Sequence, residues 1–578
     1  MPLGPATWTR ALRPFRGRRL RVWYHPTYRI PLTSLEPRAG MEPRRSDLAA
    51  WYLEDTGAVS RASFCAPGRV AYRDLARVHT PGWLESLSDA KVLARVYGVD
   101  PWDVPVDELL ATVRHACGAT VEATQEALTG RRFQLNLLGG FHHAAPDRGS
   151  GLCAVNDVAV AIAVARAEGF EGRVVVLDLD AHPPDGLAAC LNEDPAAWIG
   201  SLSGSDWGPV PGADETILPV RCGDGLYMEA LSKLLARMPK PDLAFVIAGG
   251  DVLHDDRMGR LGLTLEGVRQ RDRRVARALA TTPQVWLAGG GYSPDAWRAL
   301  AGTGLVLAGQ GHRPVQADAD PLRWHFSRIA QRIDVKRLGG EDFLSTAELE
   351  EALGVRRPES RRLLGFYTDE GLEYSLETYG LLPQVRRLGY GDLRVRVDRA
   401  SSGDRLRLFG RADGAEHVLV EAVLAREEVE GRPMLFVHWL TLRNPRVPFT
   451  ALRPRLPGQE VPGLGLAREA GEMLLRIARR LDLEGVAVRP AHFHVAYAAR
   501  YRLRMVDPIL QGRFEAILRD LGHLPLHALT SAIAEGRVLL DGRPWAWEPG
   551  LMAYRFEEPP SAHAPADRER DRARFRLA

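Results

Sequence analysis

Residues 174–190 read VVVLDLDAHPPDGLAAC, and the fold turns on how this stretch is read. An apolar run without alternation is a strand buried on both faces. This one ends in Asp178, Asp180 and His182. Side chains two apart on a strand share a face, so the three can converge where the strand runs out. Carboxylates with an imidazole suit zinc, with a position left open for water. A helix-capping aspartate beside a satisfied histidine is the alternative on this segment alone. Pro183-Pro184 follows at once and removes two backbone donors.

The same pattern recurs outward from this stretch. FQLNLLGGFHH (133–143), LAFVIAGGD (243–251) and QVWLAGGGY (284–292) are also apolar runs that end in glycine and polar residues. Helical patterns such as DVAVAIAVARAEGF (157–170) and LEGVRQRDRRVARALA (265–280) lie between them. Strands alternating with helices predict an α/β fold, an open and mostly parallel sheet flanked by helices. Ligands bind such sheets beyond the carboxyl ends of the strands. Here four strand ends carry chemistry. Asp251 can supply a third metal ligand from a neighbouring strand end, and His254 reads as a loop histidine. Adjacent His142 and His143 point different ways and suit a general acid–base pair beside the metal. Tyr292 can donate its hydroxyl to a developing oxyanion.

The chain has 578 residues, too many for one ordinary core. Its formal net charge of +3 gives no warrant for nucleic-acid binding. Nearly all basic residues are arginine, which suits GC-rich coding and a bacterial source. The five cysteines are scattered and form no CxxC, so a reducing cytoplasm is expected rather than a disulfide framework. No apolar run approaches the roughly 18 residues of a membrane span. The Arg-rich residues 1–20 lack the apolar core of a signal peptide and read as a flexible basic arm. Oligomeric state is not legible.

GQGHRPVQADADP (309–321) marks the edge of a domain over 21–310, with a linker and bridging helix over 311–345. A second, α+β domain is expected over 346–560. Its alternating strands are DLRVRVD (392–398), RLRLFGR (405–411), HVLVEAVL (417–424) and MLFVHWLTL (434–442), with SSGD (401–404) as a hairpin turn. A helix (466–481) and a short strand, GVAVRP (485–490), follow. Residues 561–578 are polar and charged and read as a disordered tail. The glycine turn of EVPGLGL (460–466) feeds a helix N-terminus, where backbone donors and the helix dipole can hold a phosphate. This order is similar to that of acyl-CoA-dependent N-acetyltransferases. Their loop pattern, Gln/Arg-x-x-Gly-x-Gly/Ala, would fall on Glu460, Gly463 and Gly465. A glutamate at the first position would repel a pyrophosphate. A structural helix start is therefore expected, with Gly463 and Gly465 as a weak acyl-CoA candidate. His492 and His494 read as a structural strand-edge pair.

Residues 21–310 resemble the histone deacetylase family, which includes acetylpolyamine amidohydrolases and acetoin-utilisation proteins. GGFHHA, GSGLCAVND, DLDAH, GGDVLHDDRMGRLGLT and GGGY occur in the family's order. YHPTY, RASFCAPGRVAYRDLARVHTPGWLESL, DLDAH and GVRQRD look most like the class IV branch. The resemblance implies an arginase-like fold and one zinc ion held by Asp180, His182 and Asp251. It makes His142 and His143 a dyad oriented by Asp178 and Asp185, and it has Tyr292 polarise the scissile carbonyl. Asp178, Ser201 and Leu202 fall where the family binds a structural potassium ion, and Gly151, Leu152 and Gly290 where it lines the substrate tunnel. The implied function is removal of acetyl or longer acyl groups from acyl-lysine. A deacetylase of acetylpolyamines or other small acylated amines is the alternative, and a catalytically weak acyl-lysine-binding scaffold a second one. Leu152 stands where many members have Phe, which opens the question of chain length. Pro183 and Pro184 stand where the family usually has His or Gln and then Gly, which leaves the reach of Asp185 to His143 as the open link.

Overall fold

The computed structural model describes residues 20–130, 133–204, 210–339, 362–557 and 564–578. They form two compact units, Met1–His325 and Phe326–Ala578. The basic arm expected over 1–20 lies, but for Leu20, outside the described residues.

The first unit is built on eight strands: β1 (Arg21–Trp23), β2 (Phe64–Cys65), β3 (Phe133–Asn136), β4 (Val174–Asp178), β5 (Ala197–Ser203), β6 (Ala213–Ile217), β7 (Leu243–Ile247) and β8 (Gln284–Leu287). Their order is β2-β1-β3-β8-β7-β4-β5-β6, and every pairing is parallel. β3, β8, β7 and β4 are buried at every residue. That is why they read as unbroken apolar runs while the edge strand β6 does not. The register then settles where the site can be. Asn136 pairs with Leu287, Leu287 with Ile247, and Ile247 with Asp178. The four motif-bearing strands are therefore neighbours that end level with one another.

The covering helices start where the sequence offers caps. Asn156 accepts from the Ala159 N–H at the start of helix Asp157–Ala167, and Thr264 accepts from Gly267 at the start of helix Leu265–Ala278. Pro184 immediately precedes helix Asp185–Leu191. The amides missing from the proline pair are thus lost just where a helix start leaves donors without intrahelical partners. Residues 311–325, expected as linker, pack onto the first unit instead. The Gln316 N–H donates to the Tyr52 hydroxyl at 3.2 Å, and the Trp324 and Tyr52 rings stack at 6.0 Å. Helix Pro321–Arg332 follows within the expected bridging segment, and the division between the units falls inside it.

The second unit holds a seven-stranded sheet that includes β9 (Gly391–Ala400), β10 (Gly403–Ala412), β11 (Ala415–Val429), β12 (Arg432–Leu442) and β13 (Gly485–Val488). β9 to β12 are antiparallel, and β12 pairs with β13 in parallel across helix Ala467–Arg480. Two expectations are corrected here. The tail is ordered from residue 564: helix Ala564–Arg572 and strand Phe575–Leu577 are formed, and the strand pairs with Val538–Leu540. Its polar sequence hides the buried Ala566, Ala573 and Phe575, and Glu569 pairs with Arg513 at 3.1 Å. His492 precedes helix Phe493–Ala499 rather than edging a strand, and its ring stacks on that of His494. Among the described residues no helix is long and apolar enough to cross a membrane.

Candidate functional site

The level ends of β3, β8 and β4 deliver side chains to one pocket, and Asp251 after β7 is buried against His182 beside it. Ile30, Met41, Arg45, Leu138, Phe141, His142, His143, Gly151, Leu152, Asp180, His182, Gly290 and Tyr292 are among the residues that line it. Beyond β4, His182 Nδ1 stands 3.1 Å from Asp180 Oδ1 and 3.0 Å from Asp251 Oδ2, the latter arriving from β7. One ligand atom from each of these three residues falls within 4.8 Å of the others. Asp180 and Asp251 are 1% and 0% exposed. Two buried carboxylates this close repel, and burial together with the Asp180 charge pushes the Asp251 carboxyl up to about 8. A divalent cation answers that repulsion, and the nitrogen-plus-carboxylate donor set fits zinc. Backbone donors aim the carboxylates: Gly290 N–H to Asp180 Oδ2 at 2.6 Å, and Ala181 N–H to Asp251 Oδ1 at 3.0 Å. His254, by contrast, is exposed in its loop.

The histidines after β3 are each paired with a carboxylate. His142 Nδ1 lies 2.8 Å from Asp178 Oδ2, and His143 Nδ1 lies 2.6 Å from Asp185 Oδ1. The link left open by the proline pair is thus closed. The helix that begins at Asp185 is also tied to the dyad loop, since the Leu187 N–H donates to His142 O at 2.7 Å. The two imidazoles differ sharply. Burial opposes charge on His142, but the carboxylates of Asp178 and Asp180 outweigh it and push its pKa up to about 9. Burial and then the neighbouring His142 charge push His143 down to about 4, against the pull of Asp185. These surroundings favour the charged form of His142 and the neutral form of His143.

Gly151 and Leu152 both have left-handed backbones, at φ +53° and +66°. A Cβ at Gly151 would stand 2.2 Å from His143 Cδ2, so glycine is required there. Leu152 is held in this conformation by its N–H, which donates to Val96 O at 3.1 Å. Ser201 and Leu202 are buried in β5, and Ser201 pairs in register with Asp178. The Ser201 hydroxyl finds no hydrogen-bond partner among the described residues, an orphan of the kind a cation satisfies.

Sequence reasoning missed three residues that shape the pocket. Buried Asp157 accepts from the Phe141 N–H at 2.7 Å and the Gly140 N–H at 3.1 Å, holding the turn before the dyad. Arg45 donates to Gly289 O at 2.8 Å beneath the Tyr292 turn. Asp256 accepts from the Tyr292 N–H at 2.6 Å. Asp157 and Asp256 fall inside the motifs GSGLCAVND and GGDVLHDDRMGRLGLT with no role of their own assigned, and Arg45 falls in none of the motifs. None carries a local sign of burial.

The model of the histone deacetylase domain matches residues 39–305. An uncharacterised protein of Picosynechococcus sp. is 31% identical over 286 residues, 47% of this chain and 92% of that relative. The chain belongs to the histone deacetylase family. Histone deacetylase 2 of Arabidopsis thaliana is 27% identical over 306 residues, covering 50% of this chain and 79% of its own. The crystal structure of a histone deacetylase homologue from Aquifex aeolicus, 22% identical, superposes with a TM-score of 0.43 over 52% of this chain and 85% of its own. The first unit is accordingly the deacetylase domain, a hydrolase. In the second unit, Gly463 and Gly465 stand before helix Ala467–Arg480, with Gly465 at φ +70°. Glu460 pairs with Arg443 at 3.4 Å.

Proposed function

We propose that the deacetylase domain is a zinc-dependent amidohydrolase that removes acyl groups from acylated lysine side chains. One observation carries this reading: Asp180, His182 and Asp251 converge beside a pocket that His142, His143, Asp180, His182 and Tyr292 line, and each dyad histidine is paired with a carboxylate. Asp180, His182 and Asp251 would hold the ion. When bound, zinc supplies Lewis acidity and a water that is nucleophilic near neutral pH. The remaining work falls to side chains. Neutral His143 takes the proton of the attacking water and returns one to the leaving amine, while Asp185 fixes the ring through Nδ1. Cationic His142, buried against Asp178, stabilises negative charge that develops nearby. The Tyr292 hydroxyl donates to the oxygen of the scissile carbonyl. Asp178, Ser201 and Leu202 would hold a structural potassium ion.

The relatives' names point to acetylated substrates, and Leu152 gives the tunnel an aliphatic wall. A reducing bacterial cytoplasm is the compartment this reading takes for the chain. The test is turnover by the full chain of acetyl-, decanoyl- and myristoyl-lysine peptides against acetylspermidine, each with and without chelator. Chelator-sensitive release from a lysine peptide supports the reading. Turnover of acetylspermidine alone moves the substrate to small amines, and turnover of none leaves a binding scaffold.

A further inference from the structure

The turn that presents Tyr292 is anchored on both of its edges. The Gly289 N–H donates to Gly139 O at 3.1 Å, and the Gly290 carbonyl accepts from the Gly250 N–H at 2.8 Å. The Gly290 N–H reaches Asp180 Oδ2, and Arg45 gathers the carbonyls of Gly289 at 2.8 Å and Gly291 at 3.4 Å. The amide of Tyr292 itself goes to Asp256 Oδ2 at 2.6 Å. Asp256 is 6% exposed. Its other oxygen, Oδ1, accepts from Met258 N–H at 2.8 Å and Gly259 N–H at 3.0 Å. One buried carboxylate therefore joins the loop after β7 to the residue that carries the phenol.

We propose that Asp256 is a positioning residue for Tyr292. It fixes the Tyr292 peptide plane, and with it the direction in which the side chain leaves the turn. This rests on the reading of Tyr292 as the donor to the scissile carbonyl. A charged acceptor makes a shorter and stronger bond to an amide than a neutral one. An oxyanion donor is useful only if its position is set before reaction. Three amides converge on Asp256 from two sides, so both oxygens must accept. An asparagine presents one oxygen and one NH2 group. It can satisfy the Met258–Gly259 side or the Tyr292 side, and its NH2 group then opposes an N–H on the other.

The test is steady-state kinetics of the full chain on an acetyl-lysine peptide for Asp256→Asn, Tyr292→Phe and the double variant, with metal affinity measured by chelator competition. A misplacement of about 1 Å costs on the order of 10²-fold, so kcat of Asp256→Asn should fall about 10- to 100-fold. KM should stay within about threefold and metal affinity should be unchanged, because the bond acts on a donor of the transition state. In the Tyr292→Phe background the Asp256→Asn change should cost nothing further, since the group it positions is gone. Wild-type kcat in Asp256→Asn overturns the proposal. So does a loss that multiplies with that of Tyr292→Phe, or a fall in metal affinity that matches the fall in kcat. Full kcat in Tyr292→Phe alone fails the underlying reading instead, and is seen in the single variant. If Asp256→Asn does not fold, Asp256→Glu keeps the charge but moves it by one methylene. The same loss in kcat and the same non-additivity are then expected.

Discussion

The strand ends of the deacetylase domain and the glycine turn of the second unit were both candidates for chemistry, and they differ in one physical respect. In the first unit four neighbouring strands end level, and the polar groups that follow them gather at one pocket or directly beside it. In the second, a single turn meets a single helix, and Glu460 at the start of that turn is engaged by Arg443. The first arrangement buries charges that need one another: two carboxylates, an imidazole and two His–Asp pairs. In the second, the buried Glu472 of the helix is met by Arg476 at 3.5 Å and Arg502 at 2.8 Å. A motif becomes a site when the topology brings others to it.

That contrast can be broken most severely at the metal ligands. Asp251→Ala removes one of three donor residues, and activity should fall below detection with metal binding. Unchanged turnover would erase the distinction between the two regions. Tyr292→Phe comes next, since one oxyanion donor is worth about 10²–10³-fold in kcat. Asp185→Asn should cost about 10²-fold, the low end for an acid–base group, and it carries a pH signature. His143, held down to about 4, is neutral above that value and is lost as a base when pH falls through it. The Asp185 charge raises that pKa, so its removal should move the acid limb of kcat/KM to lower pH. A shift to higher pH would contradict the sign.

The smallest effect belongs to the second unit. Gly465→Ala places a Cβ at φ +70°, which costs roughly 1–2 kcal/mol. It should lower Tm by a few degrees while leaving deacetylation unchanged. Titration calorimetry of the full chain with acetyl-CoA should show no saturable heat. A 1:1 isotherm that Gly465→Ala abolishes would raise the second unit to the standing of the first.

The parallel sheet and the convergent residues were legible because both leave local marks. A strand buried on two faces has no polar alternation, and chemistry at its end breaks an apolar run. Asp178, Asp180, His182, Asp251 and Tyr292 all announce themselves in this way. Arg45, Asp157 and Asp256 do not, because their burial is decided by chain segments far away in sequence. The tail shows the same limit from the other side. Its charge run suggested disorder, yet Glu569 and the buried Ala573 and Phe575 find partners on other elements. The effect of the proline pair, too, was a matter of three dimensions. Only with helix Asp185–Leu191 in place do the prolines sit where amides are expendable.

The central claim is that the pocket hydrolyses an amide with the help of a metal held by Asp180, His182 and Asp251. Its most direct test is release of acetate from an acetyl-lysine peptide by the full chain, before chelation, after it, and after zinc is returned. Activity should be lost and then restored in wild type, and should stay absent in Asp251→Ala throughout. Turnover indifferent to chelation, or absent from the zinc-loaded wild type, would contradict the account.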